Sequence, residues 1–332
     1  MKLLIAGGGG YIGSALIPKL LDRGYEVDVV DLFWFGNHLP AEANILHKDI
    51  FDLGTKDLQG YGQVIFLAGL SNDPMAEFSP GKNFVFNAAA PAYLAYIAKQ
   101  AEVKRYIYAS SASVYGYTVN ELHDETRPVS SSYPYGISKL QGEQAVLQLG
   151  DDSLSVIALR KGTVSGYSPR MRFDLIINTM FKTSVRDKNI TVNNPAIWRP
   201  ILGIEDAANA YIRAVEANEK ISGIFNIASA NHTVGEVADL VRETVQEELG
   251  FQVGLTIRHL QEFRNYKVST EKAKNVLSFH PGDTVKSIVK NLIANMDKFQ
   301  DWENPMYSNI ETLRLLEKAS DDRVMVKRLV SA

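Results

Sequence analysis

Four consecutive glycines stand within the first ten residues, in "MKLLIAGGGGYIGSALIPKLLDRG", between a short apolar run and a stretch of helical periodicity. Glycine loses more conformational freedom on folding than any other residue. A run of four in an ordered segment therefore implies a turn where side chains would obstruct something. "KLLIA" at 2–6 has the apolar continuity of a strand buried on both faces. Ile12, Leu16, Leu20 and Leu21 lie near helical spacing, and Gly24 supplies the stop. Pro18 removes one helical hydrogen bond and predicts a bend, with the apolar spacing continuing past it. A second strand follows in "YEVDVVD".

The alternation persists. "QVIFLAG" (63–69), "VKRYIYAS" (103–110) and "LSVIALR" (154–160) read as strands, with helices over 83–101 and 133–149. Repeated strand–helix–strand units with right-handed crossovers build an open parallel sheet covered on both faces. The fold class expected is α/β, a Rossmann-type doubly wound sheet with a smaller C-terminal lobe. Residues 1–162 are expected to form the domain built on this sheet, completed by parts of 203–228. Residues 163–300 mainly form the substrate lobe, and 301–332 an amphipathic helix and tail. In the lobe, "FDLIINTMFKTSV" reads as helix, and "NNPAIWRPILGIEDAANAYIRAVE" passes from loop into helix. Thr233 and Glu236 make a capping-box start for a further helix.

Gly7, Gly10 and Gly13 fit G-x-x-G-x-x-G between a strand and a helix, the context in which such a motif holds a dinucleotide. Missing side chains let backbone approach a pyrophosphate, and the helix N-terminus supplies N–H donors and a favourable dipole. Asp31, eighteen residues after Gly13, ends the second strand, where a carboxylate accepts from adenosine ribose hydroxyls. It would repel a 2′-phosphate, and "DLFWFGN" places no Lys or Arg beside it, so NAD is favoured over NADP.

Composition narrows the remaining classes. With 332 residues, 45% of them hydrophobic, the chain can bury a large core. A net charge of −3 gives no support for a nucleic-acid surface or a polybasic membrane anchor. There are no cysteines, which excludes disulfides, a thiolate nucleophile and thiolate metal sites. The six histidines never fall at ligand spacing, so no metal is expected. The amino end has too short an apolar run for a signal peptide, and no stretch is long enough to span a bilayer. A cytoplasmic enzyme is expected, and the sequons at Asn189 and Asn231 are read as accidental.

The second constellation lies in "YASSASVYG" and "SSYPYGISK". Tyr135 and Lys139, four apart on a predicted helix, project from one face. A phenol of pKa near ~10 is a poor base at neutral pH. A nearby ammonium and a positively charged nicotinamide would both favour its phenolate form. Tyr135 could then take a proton from a sugar hydroxyl while hydride leaves the same carbon. A hydroxyl from "ASSAS" could hold the reacting oxygen.

Together these features resemble the extended short-chain dehydrogenase/reductase superfamily, in its NAD-dependent nucleotide-sugar epimerase/dehydratase branch. The resemblance spans about residues 1–300. It rests on "GGGGYIG", Asp31, "DIFD", "VIFLAG", "SSASVYG", "YGISK" and "RPILGIEDAANA" in that order. It implies Tyr135 as catalytic base, Lys139 as its partner and a contact to the nicotinamide ribose, and Ser111 as the catalytic hydroxyl. It implies that Gly7, Gly10, Tyr11, Ile12, Gly13, Asp31, Asp49, Ile50, Ala68, Gly69 and Asn87 hold NAD. It implies that Ser113, Asn178, Arg199 and Arg264 contact a nucleotide-diphosphate sugar, an arginine fork suiting a diphosphate. It further implies a homodimer paired through the 83–101 and 133–149 helices.

Departures from the family pattern are informative. Sugar 4,6-dehydratases of this family carry an Asp-Glu pair after the catalytic Thr, whereas Ser111 is followed by Ala112 and Ser113. Elimination is disfavoured, as is decarboxylation of a uronic acid. Gly203 stands where the family's "IHVDD"-like segment carries His, and the loop "GLSNDPMAEFSP" has no assigned role. The leading expectation is a nucleotide-sugar epimerase acting at C4. A 4-keto-sugar reductase using the same residues, and a non-catalytic dinucleotide-binding regulator, are the alternatives.

Overall fold

The computed structural model describes residues 1–129, 131–259 and 264–330, with the side chains of Val119 and of residues 320–330 outside the description. In chain order the strands are β1 (Lys2–Ala6), β2 (Glu26–Asp31), β3 (Asn44–His47), β4 (Gln63–Phe66), β5 (Arg105–Tyr108), β6 (Tyr117–His123) and β7 (Ser155–Lys161). They continue as β8 (Thr163–Ser165), β9 (Asn189–Asn193), β10 (Trp198–Gly203), β11 (Gly223–Ile227), β12 (Ala230–Thr233), β13 (Gly254–Arg258) and β14 (Asn265–Val268). The helices are α1 (Tyr11–Leu21), α2 (Asp73–Phe78), α3 (Pro80–Phe84), α4 (Ala90–Gln100), α5 (Pro134–Leu149) and α6 (Ile176–Arg186). After them come α7 (Ile204–Glu216), α8 (Val234–Leu249), α9 (Glu271–Leu277), α10 (Val285–Ala294) and α11 (Asn309–Val330).

Among the described residues, seven parallel strands form one sheet in the order β11-β7-β5-β4-β1-β2-β3. Period-2 alternation decides which core each side chain joins. Leu3 and Ile5 pack with Leu16, Ile17 and Leu20 of α1 and with Ala207, Ala208 and Tyr211 of α7. Leu4 and Ala6 face the other way, with Phe66, Tyr106 and the α4 residues Leu94 and Ala98. Strand order reverses between β1 and β4, and a doubly wound sheet opens a crevice at the carboxyl ends of its strands at such a point.

A third core lies outside the sheet. It joins Ile177 and Phe181 of α6, Val237 and Val241 of α8, and Ile288 and Val289 of α10, with Ile190 and Val192 of β9. Thr233 caps α8 reciprocally with Glu236, as their spacing predicts.

Two segments differ from the sequence reading. "WRPILG", expected as loop, is strand β10, paired with β12 antiparallel and β8 parallel. Pro200 is tolerated there because β8 begins pairing only at Ile201, so at Pro200 the strand has β12 as its neighbour. The helix expected over 83–101 is broken into α3, a π turn at Val85–Ala89, and α4. Pro91 explains the break, because it has no N–H to give the carbonyl of Asn87 four residues back. The buried hydroxyl of Tyr108 donates to that carbonyl instead, at 3.0 Å. Pro18 stays inside α1. The expected C-terminal helix begins at Asn309, and residues 331–332 of the expected tail lie outside the described residues.

Candidate active site

At the switch point the chain leaves β1 through Gly7, whose N–H donates to Val30 O at 2.8 Å. Gly7 has φ +78°, and a Cβ on it would lie 2.3 Å from the backbone nitrogen of Ala68. A Cβ on Gly13 would lie 2.1 Å from Gly8 O. Glycine is thus required at both positions, once for backbone hand and once for the approach of α1 to the turn. Asp31 fastens the loop by accepting from Gly9 N at 2.9 Å and from Phe33 N at 2.8 Å. Burial raises its carboxyl pKa, and the backbone donors oppose that rise.

A cleft of about 650 Å³ opens over this turn. The expected cofactor residues Gly7, Gly10, Tyr11, Ile12, Gly13, Asp31, Asp49, Ile50, Ala68 and Gly69 all line it. Asp49 caps the short turn at Ile50 by accepting from Phe51 N at 3.0 Å. Asn87 lies beneath the cleft wall, fully buried, its Nδ2 donating to Leu70 O at 2.9 Å and Asn83 Oδ1 at 2.8 Å.

Ser111, Ser113, Tyr135 and Lys139 line the same cleft. α5 carries Tyr135 and Lys139 on one face, starting at Pro134, whose fixed φ suits a first helical position. Ser111 and Tyr135 are hydrogen-bonded through their hydroxyls, and the Ser113 hydroxyl donates to Ser111 Oγ at 2.8 Å. Burial pushes the phenol of Tyr135 up, outweighing the Ser111 hydrogen bond and the Arg172 charge, while Asp73 pushes it further the same way. Burial also takes Lys139 down to about 7. Of the two charges expected to favour the phenolate, the Lys139 ammonium is therefore weakened by its own burial. The same dry site that holds both groups raises the phenol and discharges the amine.

The strand ends rest on a buried ionic network. Arg160 Nη2 meets Glu143 Oε1 at 2.6 Å, Arg160 Nε meets Glu143 Oε2 at 2.9 Å, and Ser110 Oγ donates to Glu143 Oε2 at 2.6 Å. α5 thus sets Tyr135, Lys139 and Glu143 at four-residue steps, the last gripping the strand end that carries Ser111.

Of the expected substrate residues, Arg199 and Arg264 line the cleft. Arg264 Nη1 pairs with Asp73 Oδ2 at 2.5 Å, its guanidinium lies over the Tyr133 ring, and Arg199 Nη1 donates to the backbone oxygen of Arg264. Asn178, expected at the substrate diphosphate, is fully buried and is not among the cleft-lining residues. Its Oδ1 accepts from Gly166 N at 2.8 Å and its Nδ2 donates to Arg172 O at 2.8 Å, so it braces the loop after β8.

Several cleft residues escape the sequence reading. Lys161 lines the cleft and donates from Nζ to Ser110 O at 2.8 Å. Burial and the neighbouring Lys139 press its pKa well below the ordinary lysine value. Its signal was available: it ends an apolar strand at the carboxyl edge, where such sheets bind ligands. Arg170 and Arg172, from "SPRMRFD", also face the cleft, as does Asp174, which accepts from Arg172 at 2.8 and 2.9 Å. Asp73 comes from the loop left without a role.

A parallel sheet wound 3-2-1-4-5 about a glycine turn, with serine, tyrosine and lysine at its mouth, defines a short-chain dehydrogenase/reductase. Within that class the chain belongs to the NAD dependent epimerase/dehydratase family, whose model matches residues 3–228. A UDP-glucose 4-epimerase of Corynebacterium glutamicum is 27% identical over 89% of this chain and 95% of its own length. MoeE5, solved in complex with UDP-glucose and NAD, superposes with TM-score 0.80 at 24% identity, over 91% of this chain and all of its own (100%). A UDP-glucuronic acid 4-epimerase from Bacillus cereus gives 0.77 at 21% identity, over 90% and 99% of the two chains. At these identities the solved structures establish the fold.

The residues present fit the family's NAD. The glycine turn is closed to any Cβ at Gly7 and Gly13, Asp31 stands at the end of β2, and α1 opens toward the cleft without an acidic side chain in its first turn. Among the described residues no group of histidine and acidic side chains could hold a metal ion, and no helix is long and apolar enough to cross a membrane.

Proposed function

We propose that this enzyme inverts a sugar carbon, C4, of a nucleotide-diphosphate hexose, with a UDP-sugar as first candidate. The observation that carries the reading is the hydrogen-bonded Ser111–Tyr135 pair in one cleft with Lys139 and the glycine turn, with no carboxylate at 112 or 113. Without an acid beside Ser111, water elimination lacks its proton donor, whereas epimerisation needs one group that takes a proton and gives it back.

Ser111 holds the reacting hydroxyl and Tyr135 accepts its proton. When bound in this cleft, NAD would supply the complementary chemistry, that of a reversible hydride acceptor. Burial pushes Tyr135 up in the dry cleft, and the positive charge of a bound oxidised nicotinamide would oppose that rise and favour the phenolate. Lys139 sits one helical turn further along the same face and positions the cofactor ribose. Arg199 and Arg264 suit the substrate diphosphate, with Asp73 fixing the Arg264 fork. The relatives that act on UDP-sugars support uridine as the nucleotide, and the lobe formed by α6, α8 and α10 supports a nucleotide-holding role for residues after β8.

We further infer a cytoplasmic homodimer paired through the π turn, α4 and α5. Val85 and Tyr96 leave 43% and 53% of their surface exposed on that side, more than an isolated face requires. Sedimentation of the wild type and of Tyr96→Glu tests it, a monomer for both refuting the pairing.

The function itself is tested by proton NMR of the purified protein with UDP-glucose, UDP-glucuronic acid and UDP-N-acetylglucosamine, supplying NAD and no reduced cofactor. A second anomeric signal rising to a fixed ratio is expected for one of them. Conversion only when reduced cofactor is added and consumed would replace the epimerase reading with that of a ketoreductase.

A further inference from the structure

Arg170 is 2% exposed, lines the cofactor cleft, and carries two buried nitrogens, Nε and Nη1, with no partner in the protein. A buried guanidinium with unpaired N–H groups is costly unless something anionic meets them. Burial and the adjacent charge of Arg172 already take its pKa down to about 9. It shares the cleft wall with Gly10, Tyr11 and Asp31, and its charge is felt by Tyr11 and Asp31. These neighbours put Arg170 at the glycine-turn end of the cleft.

What holds Arg170 there comes from the far end of the chain. Its guanidinium lies over the Phe35 ring, 3.7 Å from the centroid, and Nη2 donates to Asn309 Oδ1 at 2.5 Å. Asn309 is the first residue of α11 and is 6% exposed. Its Nδ2 donates to Ser71 Oγ at 2.7 Å and its backbone N–H to Asp174 Oδ2 at 3.3 Å. One asparagine thus joins the loop after β4 to the loop after β8. α11 is seated by Leu313 against Leu70 and Met75, and by Glu317 against Lys82.

We propose that α11 is a working part of the dinucleotide site, with Asn309 the positioning residue that aims Nε and Nη1 of Arg170 at the cofactor's diphosphate. The proposal rests on the cleft being the NAD site and is independent of which sugar the enzyme takes. α11 lies outside the stretch matched by the family model, 3–228. An enzyme that returns its hydride to the same sugar gains from a cofactor that stays in place between turnovers.

The test measures binding in the full chain, with thermal unfolding recorded for each variant. NAD and adenosine, which lacks the diphosphate, are titrated against wild type, Arg170→Gln, Asn309→Leu and the double variant. A charged hydrogen bond contributes about 1.5–3 kcal/mol. Loss of Arg170 should accordingly weaken NAD about 10- to 100-fold and leave adenosine unchanged. Asn309→Leu should weaken NAD in the same direction, and the double variant should be no worse than Arg170→Gln, since both act through one contact. Unchanged NAD affinity in a folded Arg170→Gln would overturn the proposal. So would an equal loss for adenosine, which would mean general loosening, or full additivity in the double variant. Arg170→Lys serves if the glutamine variant does not fold, and NAD binding at wild-type strength there would count against the aimed fork.

Discussion

The hydroxyl of Tyr108, fully buried in β5, donates to the backbone carbonyl of Asn87 at 3.0 Å, across the interface between the sheet and the broken helix. The ring centroid lies 5.1 Å from Lys139 Nζ, so one side chain touches both the π turn and the cleft lysine. Tyr108→Phe removes the hydroxyl, keeps the ring, and leaves a buried acceptor short of a donor. We expect a loss of about 1–3 kcal/mol in stability, read from the urea midpoint at unchanged m-value.

Glu143 and Arg160 are 1% and 4% exposed and bond through two nitrogens and two oxygens. Truncating one partner strands the other charge in a dry site. Glu143→Ala should cost about 3–5 kcal/mol and, by releasing Ser110, reduce kcat as well. The double variant Glu143→Leu/Arg160→Met should recover much of the stability but not the activity, which separates the structural role from the positioning role.

Tyr135→Phe should keep the cofactor and lose turnover by at least ~100-fold, with little change in thermal midpoint. Ser111→Ala should act in the same direction. Full activity in the phenylalanine variant would remove Tyr135 from the role of base.

Burial lowers Lys139 from an ordinary 10.5 to about 7 and lowers Lys161 in the same direction. Between those values the unfolded chain binds more protons at these sites than the folded one. In cofactor-free protein they make stability rise with pH from about 7 toward 10, and fall away as pH drops and the amines must charge. Urea unfolding at pH 7, 8 and 9 checks the slope, which should flatten in Lys139→Met/Lys161→Met.

The sheet and its glycine turn were legible in the sequence because short-range rules determine them. Apolar runs mark β1, β4, β5 and β7, and only glycine fits the left-handed Gly7 and the close approach at Gly13. Tyr135 and Lys139 could be read from helical spacing with the preceding serines. What could not be read depends on long-range company. Nothing local shows that Asn178 would turn inward to brace Gly166, whereas Pro91 is a local signal for the break under Asn87 that the reading of 83–101 as one helix passed over. Arg264 in "FRNYKVS", expected at the substrate diphosphate, has no partner in its local sequence, yet its fork is held by Asp73, 191 residues away. β10 was missed because a proline in an apolar run argues against a strand unless its neighbours are known.

β11 joins the sheet beside β7, yet in the chain it arrives after α6, β9, β10 and α7. During synthesis the edge of β7 therefore waits, with its backbone donors and acceptors open, until residue 227 has left the ribosome. An unpaired, flat, apolar edge is where nascent chains find the wrong partner. Slow translation through that interval, or a truncation within it, should send this protein toward aggregates rather than toward a smaller folded unit.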